Sequence, residues 1–119
     1  MKIRKAIIPA AGMGTRMLPA TKSIPKEMLT IVDKPVIQYV VEEAVSSGIT
    51  DILIIISEGK EAIIDHFNSD PDRITELRNR GKNEIADQLL AIDQLANIEF
   101  IYQRELSGLG DAINCGKDF

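Results

Sequence analysis

Residues 6–16 read AIIPAAGMGTR: a short apolar run, a proline, then Gly12 and Gly14 ahead of Thr15 and Arg16. An apolar run that ends in a glycine-rich loop suggests a buried strand, here residues 4–9, handing the chain to a phosphate-binding turn. Two standard motifs fail. Counted from Gly12, a Walker A loop and a G-x-G-x-x-G fingerprint both need glycine where Met17 stands. The dinucleotide fingerprint also wants a helix at once and an acidic residue after the second strand. Here no helical period begins before Pro35, and the first acidic residue past the second apolar run is Glu58. Two readings stay open. Gly12 and Gly14 permit backbone conformations that aim successive N–H groups at one anion. Arg16 adds a planar charged fork, and Lys26 follows a stiffening Pro25. The alternative is a tight structural turn beside two solvated bases.

Outward from that loop, residues 10–35 show no sustained period and are punctuated by Pro19, Pro25 and Pro35. The mix of Arg16, Lys22, Lys26 and Lys34 with Met17, Leu18, Met28 and Leu29 favours an ordered loop that faces an anion. Val36, Ile37, Val40, Val41, Ala44 and Val45 then recur at helical spacing, with Pro35 suited to the first turn and Gly48 to a stop. Residues 52–56 form a continuous apolar run, the signature of a strand buried on both faces. A short helix over 60–67, one broken or two short helices over 73–95, a strand over 98–103 and a helix over 109–117 complete the pattern. Strands alternating with helices predict an α/β fold with a parallel sheet.

The 119 residues allow one modest domain, and 45% hydrophobic with 27% charged residues describes a globular chain. No apolar run approaches the ~20 residues of a membrane helix, and Pro9 follows the basic start too soon for a signal-peptide core. The expectation is therefore no membrane partner. One cysteine, Cys115, rules out an internal disulfide and fits a reducing cytoplasm. A net charge of −4 argues against a general nucleic-acid binder but leaves room for a small anion met by local positive charge.

The run AIIPAAGMGTRMLPATKSIPKEMLTIVDKPVIQYVVEEA, continued by GITDILIII, AIIDHF and YQRELSGLGDAI, resembles bacterial UTP–glucose-1-phosphate uridylyltransferases (UDP-glucose pyrophosphorylases) along essentially the whole chain. The resemblance implies a truncated, Rossmann-like nucleotidyltransferase domain with a mainly parallel sheet in strand order 3-2-1. Residues 1–119 would be its N-terminal nucleotide-binding part. The implied reaction is attack of the glucose 1-phosphate oxygen on the α-phosphorus of UTP, giving UDP-glucose and pyrophosphate. By the same resemblance, Ala10, Ala11 and Gly12 would contact uridine through the backbone. Gly14, Thr15 and Arg16 would cradle the triphosphate, with Arg16 on the leaving pyrophosphate and Lys26 at the α-phosphate. Gln103 and backbone at Gly108 would read the uracil edge, and Glu27 would stand on the nucleoside side.

The implied cofactor is Mg²⁺, with its ligands and the sugar-binding residues beyond residue 119. Neither Asp111 nor Asp118 is taken as a metal ligand. The family pattern also implies a cytoplasmic homo-oligomer. The chain departs from that pattern at Asp111, where histidine commonly follows GLG, and at Ser57, Glu58 and Gly59, where the turn is commonly richer in threonine and glycine.

A chain of this length is expected to be catalytically incomplete, and an unpartnered first strand would leave it marginally stable or self-associating. The rival readings are a non-catalytic UTP- or UDP-sugar-binding module and a paralogue, such as a thymidylyltransferase, with another base or sugar preference. His66 reads as a packing or surface histidine, Cys115 as a small buried hydrophobe, Glu58 as a solvated loop residue and residues 73–87 as a solvated helix face or a subunit contact.

Overall fold

The apolar run of the second major strand lies at the centre of the molecule. A computed structural model describes residues 2–12, 18–103, 113–114 and 116–119. In it, strands β1 (Lys5–Pro9), β2 (Thr30–Ile31), β3 (Lys34–Pro35), β4 (Asp51–Ile56) and β5 (Asn97–Tyr102) alternate with helices α1 (Val36–Ser46), α2 (Glu61–Phe67), α3 (Pro71–Asn79) and α4 (Asn83–Asp93). The main sheet has the order β1-β4-β5, the expected 3-2-1 read from its other edge. Both pairings are parallel, with Ile54 opposite Ile8 on one side and Phe100 on the other.

Alternation along β4 divides its side chains between two faces. Ile52, Ile54 and Ile56 join Ile37, Val41, Ile63 and Phe67 in the core beneath the helices. Leu53 and Ile55 pack on the opposite face with Ala11, Ile7 and Phe119. Residues 52–56 are all buried, which is why the run carries no polar alternation. At the amino end of the sheet, Asn97 Nδ2 and Thr50 Oγ1 donate to the two oxygens of Asp51 at 3.1 and 3.0 Å. These bonds hold the Asp51 carboxyl below its ordinary pKa.

Helix α1 starts after Pro35 and closes at Gly48, whose φ of +97° is the left-handed conformation a glycine takes without a Cβ clash. Between residues 73 and 95 there are two helices. Asp70 accepts from the N–H of Arg73 as the N-cap of α3 and Pro71 fills its first turn, so the helix begins two residues before the expected start. Arg78 bonds Asp87 at 2.9 Å and ties α3 to α4 on an exposed face, as expected of that charged run. No helix among the described residues is long and apolar enough to cross a membrane.

The stretch read as loop from 10 to 35 needs correction. It contains a short 3-10 turn, Lys26–Met28, and the β2–β3 hairpin. Two paired residues per strand are too few to leave an alternating pattern in the sequence. The hairpin turn holds Val32 at φ +63°, a strained setting for a β-branched residue, with its side chain 91% exposed. Contacts to α1 hold the hairpin: Tyr39 Oη donates to the Ile31 carbonyl at 3.0 Å, and Lys34 pairs with Glu42 at 3.1 Å.

Most of the helix expected at 109–117 lies outside the described residues, as does Cys115. The described part has Ile113 and Asn114 helical and a turn through 116–118. This turn sits against β1, with Lys5 Nζ donating to the Phe119 carbonyl at 2.7 Å. Among the described residues, β1 pairs with β4 and with no other strand.

His66 joins α2 to α1. Its Nε2 lies 2.7 Å from Gln38 Oε1 and its ring meets Phe67 edge-on, a packing histidine as expected. Burial pushes its imidazole below the ordinary value of 6.5. The unfolded chain then binds a proton more readily than the folded one, so the contribution is complete above 6.5 and is lost as pH falls below it. His66→Gln should remove the part of the pH dependence that sets in as pH falls below 6.5, read as wild-type minus variant stability in urea titrations. Ile54→Ala should cost roughly 3 kcal/mol in the same assay through the cavity it leaves.

Candidate functional site

In an open parallel sheet the carboxyl ends of the strands are where loops diverge and ligands are held. Three such ends meet here. Beyond β1, the Ala10 N–H donates to the Ile55 carbonyl at 2.7 Å, so pairing runs one residue past the strand. Beyond β5, the Gln103 N–H donates to the Ile56 carbonyl at 2.7 Å. Beyond β4, Ser57 Oγ donates to the Ala11 carbonyl at 2.8 Å. A cleft of about 900 Å³ opens over these ends, bordered by Gly12, Thr21, Lys22, Lys26, Lys60 and Gln103 among others.

Of the residues singled out by sequence, Gly12, Lys26 and Gln103 line this cleft. Ala10 and Ala11 are buried and touch the cleft through their carbonyls, which accept from Lys60 and Ser57 in its lining. A Cβ on Gly12 would stand 4.0 Å from Lys26 Nζ, which places the amine against the start of the glycine loop. Gly14, Thr15, Arg16 and Gly108 lie outside the described residues, as does Asp111. Asp118 borders a shallow depression on the sheet face, with Leu53 and Phe119. Glu58 is exposed, as expected of a solvated loop residue, on the rim of the cleft.

One cleft residue had no role in the sequence reading. Lys60 is 7% exposed, and its Nζ donates to the Ala10 carbonyl at 2.6 Å. The same ammonium pairs with Glu27, at 2.9 Å to Oε1 and 3.2 Å to Oε2. Glu27, expected on the nucleoside side, is thereby engaged by Lys60. A signal for Lys60 was present in its position, because it is the N-cap of α2. A cation there opposes the positive end of the helix dipole and must find a counter-charge elsewhere.

The described residues do not form a metal centre of their own, since no three His, Cys, Asp or Glu among them could hold an ion. The chemistry they offer is anion recognition: Lys22 and Lys26 are exposed along one wall, beside a backbone turn, above a buried and neutralised floor.

A parallel α/β sheet with such a cleft at its strand ends belongs to the open-sheet class that binds ligands across the sheet's carboxyl edge. The chain is a member of the Nucleotidyl transferase family, whose model matches residues 5–119. It is 53% identical over 118 residues to UTP–glucose-1-phosphate uridylyltransferase of Bacillus subtilis (strain 168), covering 99% of this chain and 40% of the relative. Among solved structures it resembles the UTP-bound UGPase from Acinetobacter baumannii, with a TM-score of 0.92, 40% identity and coverage of 98% of this chain and 41% of that one. A UDP-glucose pyrophosphorylase complexed with UDP-glucose matches with a TM-score of 0.78 and 38% identity, over 98% and 41% of the two chains. The chain thus spans about two fifths of the length of these relatives.

Removing one partner of the buried pair leaves the other charge uncompensated. Lys60→Met should therefore destabilise the fold by roughly 3 kcal/mol in urea. Adding Glu27→Leu should recover part of the loss, because the stranded carboxylate goes with it.

Proposed function

We infer that this chain is the N-terminal nucleotide-binding part, residues 1–119, of a UTP–glucose-1-phosphate uridylyltransferase. The complete enzyme would join UTP and glucose 1-phosphate into UDP-glucose and pyrophosphate. The observation that carries this reading is the Lys26 amine set against Gly12 at the carboxyl edge of the sheet, in a fold that matches a UTP-bound relative along 98% of this chain.

The transfer asks for placement and charge neutralisation more than covalent help from the protein. Lys26 would stabilise charge that builds on the α-phosphate when the sugar phosphate attacks. Gly14, Thr15 and Arg16 would hold the β- and γ-phosphates and ease departure of pyrophosphate. Ala10, Ala11 and Gly12 would meet the nucleoside through their backbone. The Ala10 N–H is held by the Ile55 carbonyl and the two alanine carbonyls each accept a bond, from Lys60 and Ser57, so the N–H groups of Ala11 and Gly12 would be the donors. Gln103, fixed by its own backbone bond to β4, carries a side-chain amide able to pair with a uracil carbonyl and N–H, alongside Gly108. Mg²⁺ would neutralise phosphate charge in the complete enzyme. The resemblance implies that its ligands lie beyond residue 119. A cytoplasmic, homo-oligomeric enzyme is the setting this reading implies.

A second reading is a module that binds UTP or UDP-sugar without turnover. Pyrophosphate release separates the two: binding with no release fits the module or an incomplete enzyme, whereas release fits the enzyme alone. Comparison of UTP with dTTP tests the base preference.

UTP titrated into the isotopically labelled chain should shift the amide signals of Gly12, Gly14, Gln103 and Gly108. Lys26→Ala should weaken UTP roughly tenfold, the loss of one charge-assisted phosphate contact. A dispersed spectrum that does not respond to UTP would overturn the nucleotide reading.

A further inference from the structure

We propose that Lys60 is a positioning residue of this cleft: its buried ammonium clamps the 3-10 turn that presents Lys26 to the end of β1. An ammonium has three donors and no acceptor. Those of Lys60 meet one backbone carbonyl, Ala10, and the two oxygens of one carboxylate, Glu27. With its protons so directed, Lys60 is committed to protein acceptors, although it borders the cleft.

Its two partners come from distant parts of the sequence. Ala10 is pinned from the other side by its N–H bond to Ile55, so that carbonyl is a rigid anchor. Glu27 is the middle residue of the Lys26–Met28 turn and directly follows Lys26. Within the turn, the Met28 N–H donates to the Pro25 carbonyl at 2.9 Å and the Leu29 N–H to the Lys26 carbonyl at 3.2 Å. A pull on the Glu27 side chain is therefore a constraint on the backbone that carries Lys26. The result is an exposed lysine whose amine approaches Gly12, held there by a buried lysine and a buried glutamate with side chains 9% and 11% exposed. Burying a charge pair in this way is poor for stability compared with apolar packing, and its best-supported use is to fix one arrangement.

The proposal rests on the nucleotide reading for its consequence in binding, but not for its geometry. Two measurements keep them apart. In the free protein, a nuclear Overhauser contact between the Lys26 ε-methylene and the Gly12 α-protons reports the placement directly. In wild type this contact should be present. In Lys60→Met it should vanish, and UTP should bind roughly tenfold or more weakly, since displacement by an ångström is costly in a site of this kind.

Glu27→Gln retains an acceptor and serves if Lys60→Met does not fold. It should weaken the contact and cost UTP affinity by a smaller factor. A purely structural role would lower the denaturation midpoint and leave the contact intact in the folded protein. An unchanged contact in Glu27→Gln, or in a folded Lys60→Met, would overturn the proposal whatever happens to affinity. If wild type binds no UTP but the contact is lost in the variants, the nucleotide reading falls and the positioning role stands.

Discussion

A strand that is apolar and buried from Ile52 to Ile56 must be covered on both faces and paired along both edges, and β4 imposes that demand on everything around it. Its edges take β1 and β5 in parallel, which places three carboxyl ends side by side. Its lower face takes α1 and α2, whose Ile37, Val41, Ile63 and Phe67 complete the core. Its other face takes Ala11 and Phe119. The cleft follows from this arrangement, because the loops leaving three adjacent strand ends must diverge and leave space between them.

The polar part of the molecule is arranged by a different rule. Near the strand ends, buried donors and acceptors are matched in pairs that link separate segments: Ser57 to Ala11, Lys60 to Ala10 and to Glu27. No buried side-chain nitrogen or oxygen among the described residues is left without a partner. The floor of the cleft is therefore neutral and fixed, while among the described residues Lys22 and Lys26 stand exposed on its wall. This division between committed and available charge lets a chain of net charge −4 keep two lysines exposed in a cleft that Glu58 and Glu61 also border.

Much of the sheet and helix layer was legible in the sequence, because β4 carries a continuous apolar run, β5 a mostly apolar one and α1 apolar residues at helical spacing. The break between α3 and α4 was legible only as an alternative, since its marker is a single Gly81 at φ +75° within a polar stretch. The hairpin was not legible, for its strands are shorter than any period. At the site, the glycine loop and Lys26 could be chosen by residue type and place, and Gln103 by the resemblance. The bond from Lys60 to Glu27 could not, since it spans 33 residues and depends on how β1, β4 and the 3-10 turn come together. The resemblance implied the nucleoside side for Glu27; the structure pairs its carboxylate with Lys60.

The hairpin has a consequence for how the wall of the cleft is supported. A ladder of two residues per strand, with Val32 held in a left-handed turn, has too little of its own to form in water. Its support comes from Tyr39 and Glu42 on α1, so its order is borrowed from that helix. The 3-10 turn lies immediately before it in the chain and leans in turn on Ala10 and Lys60, at the ends of β1 and α2. The wall that carries Lys26 is thus as rigid as its links to the helices make it, and loosening those links would loosen the lysine.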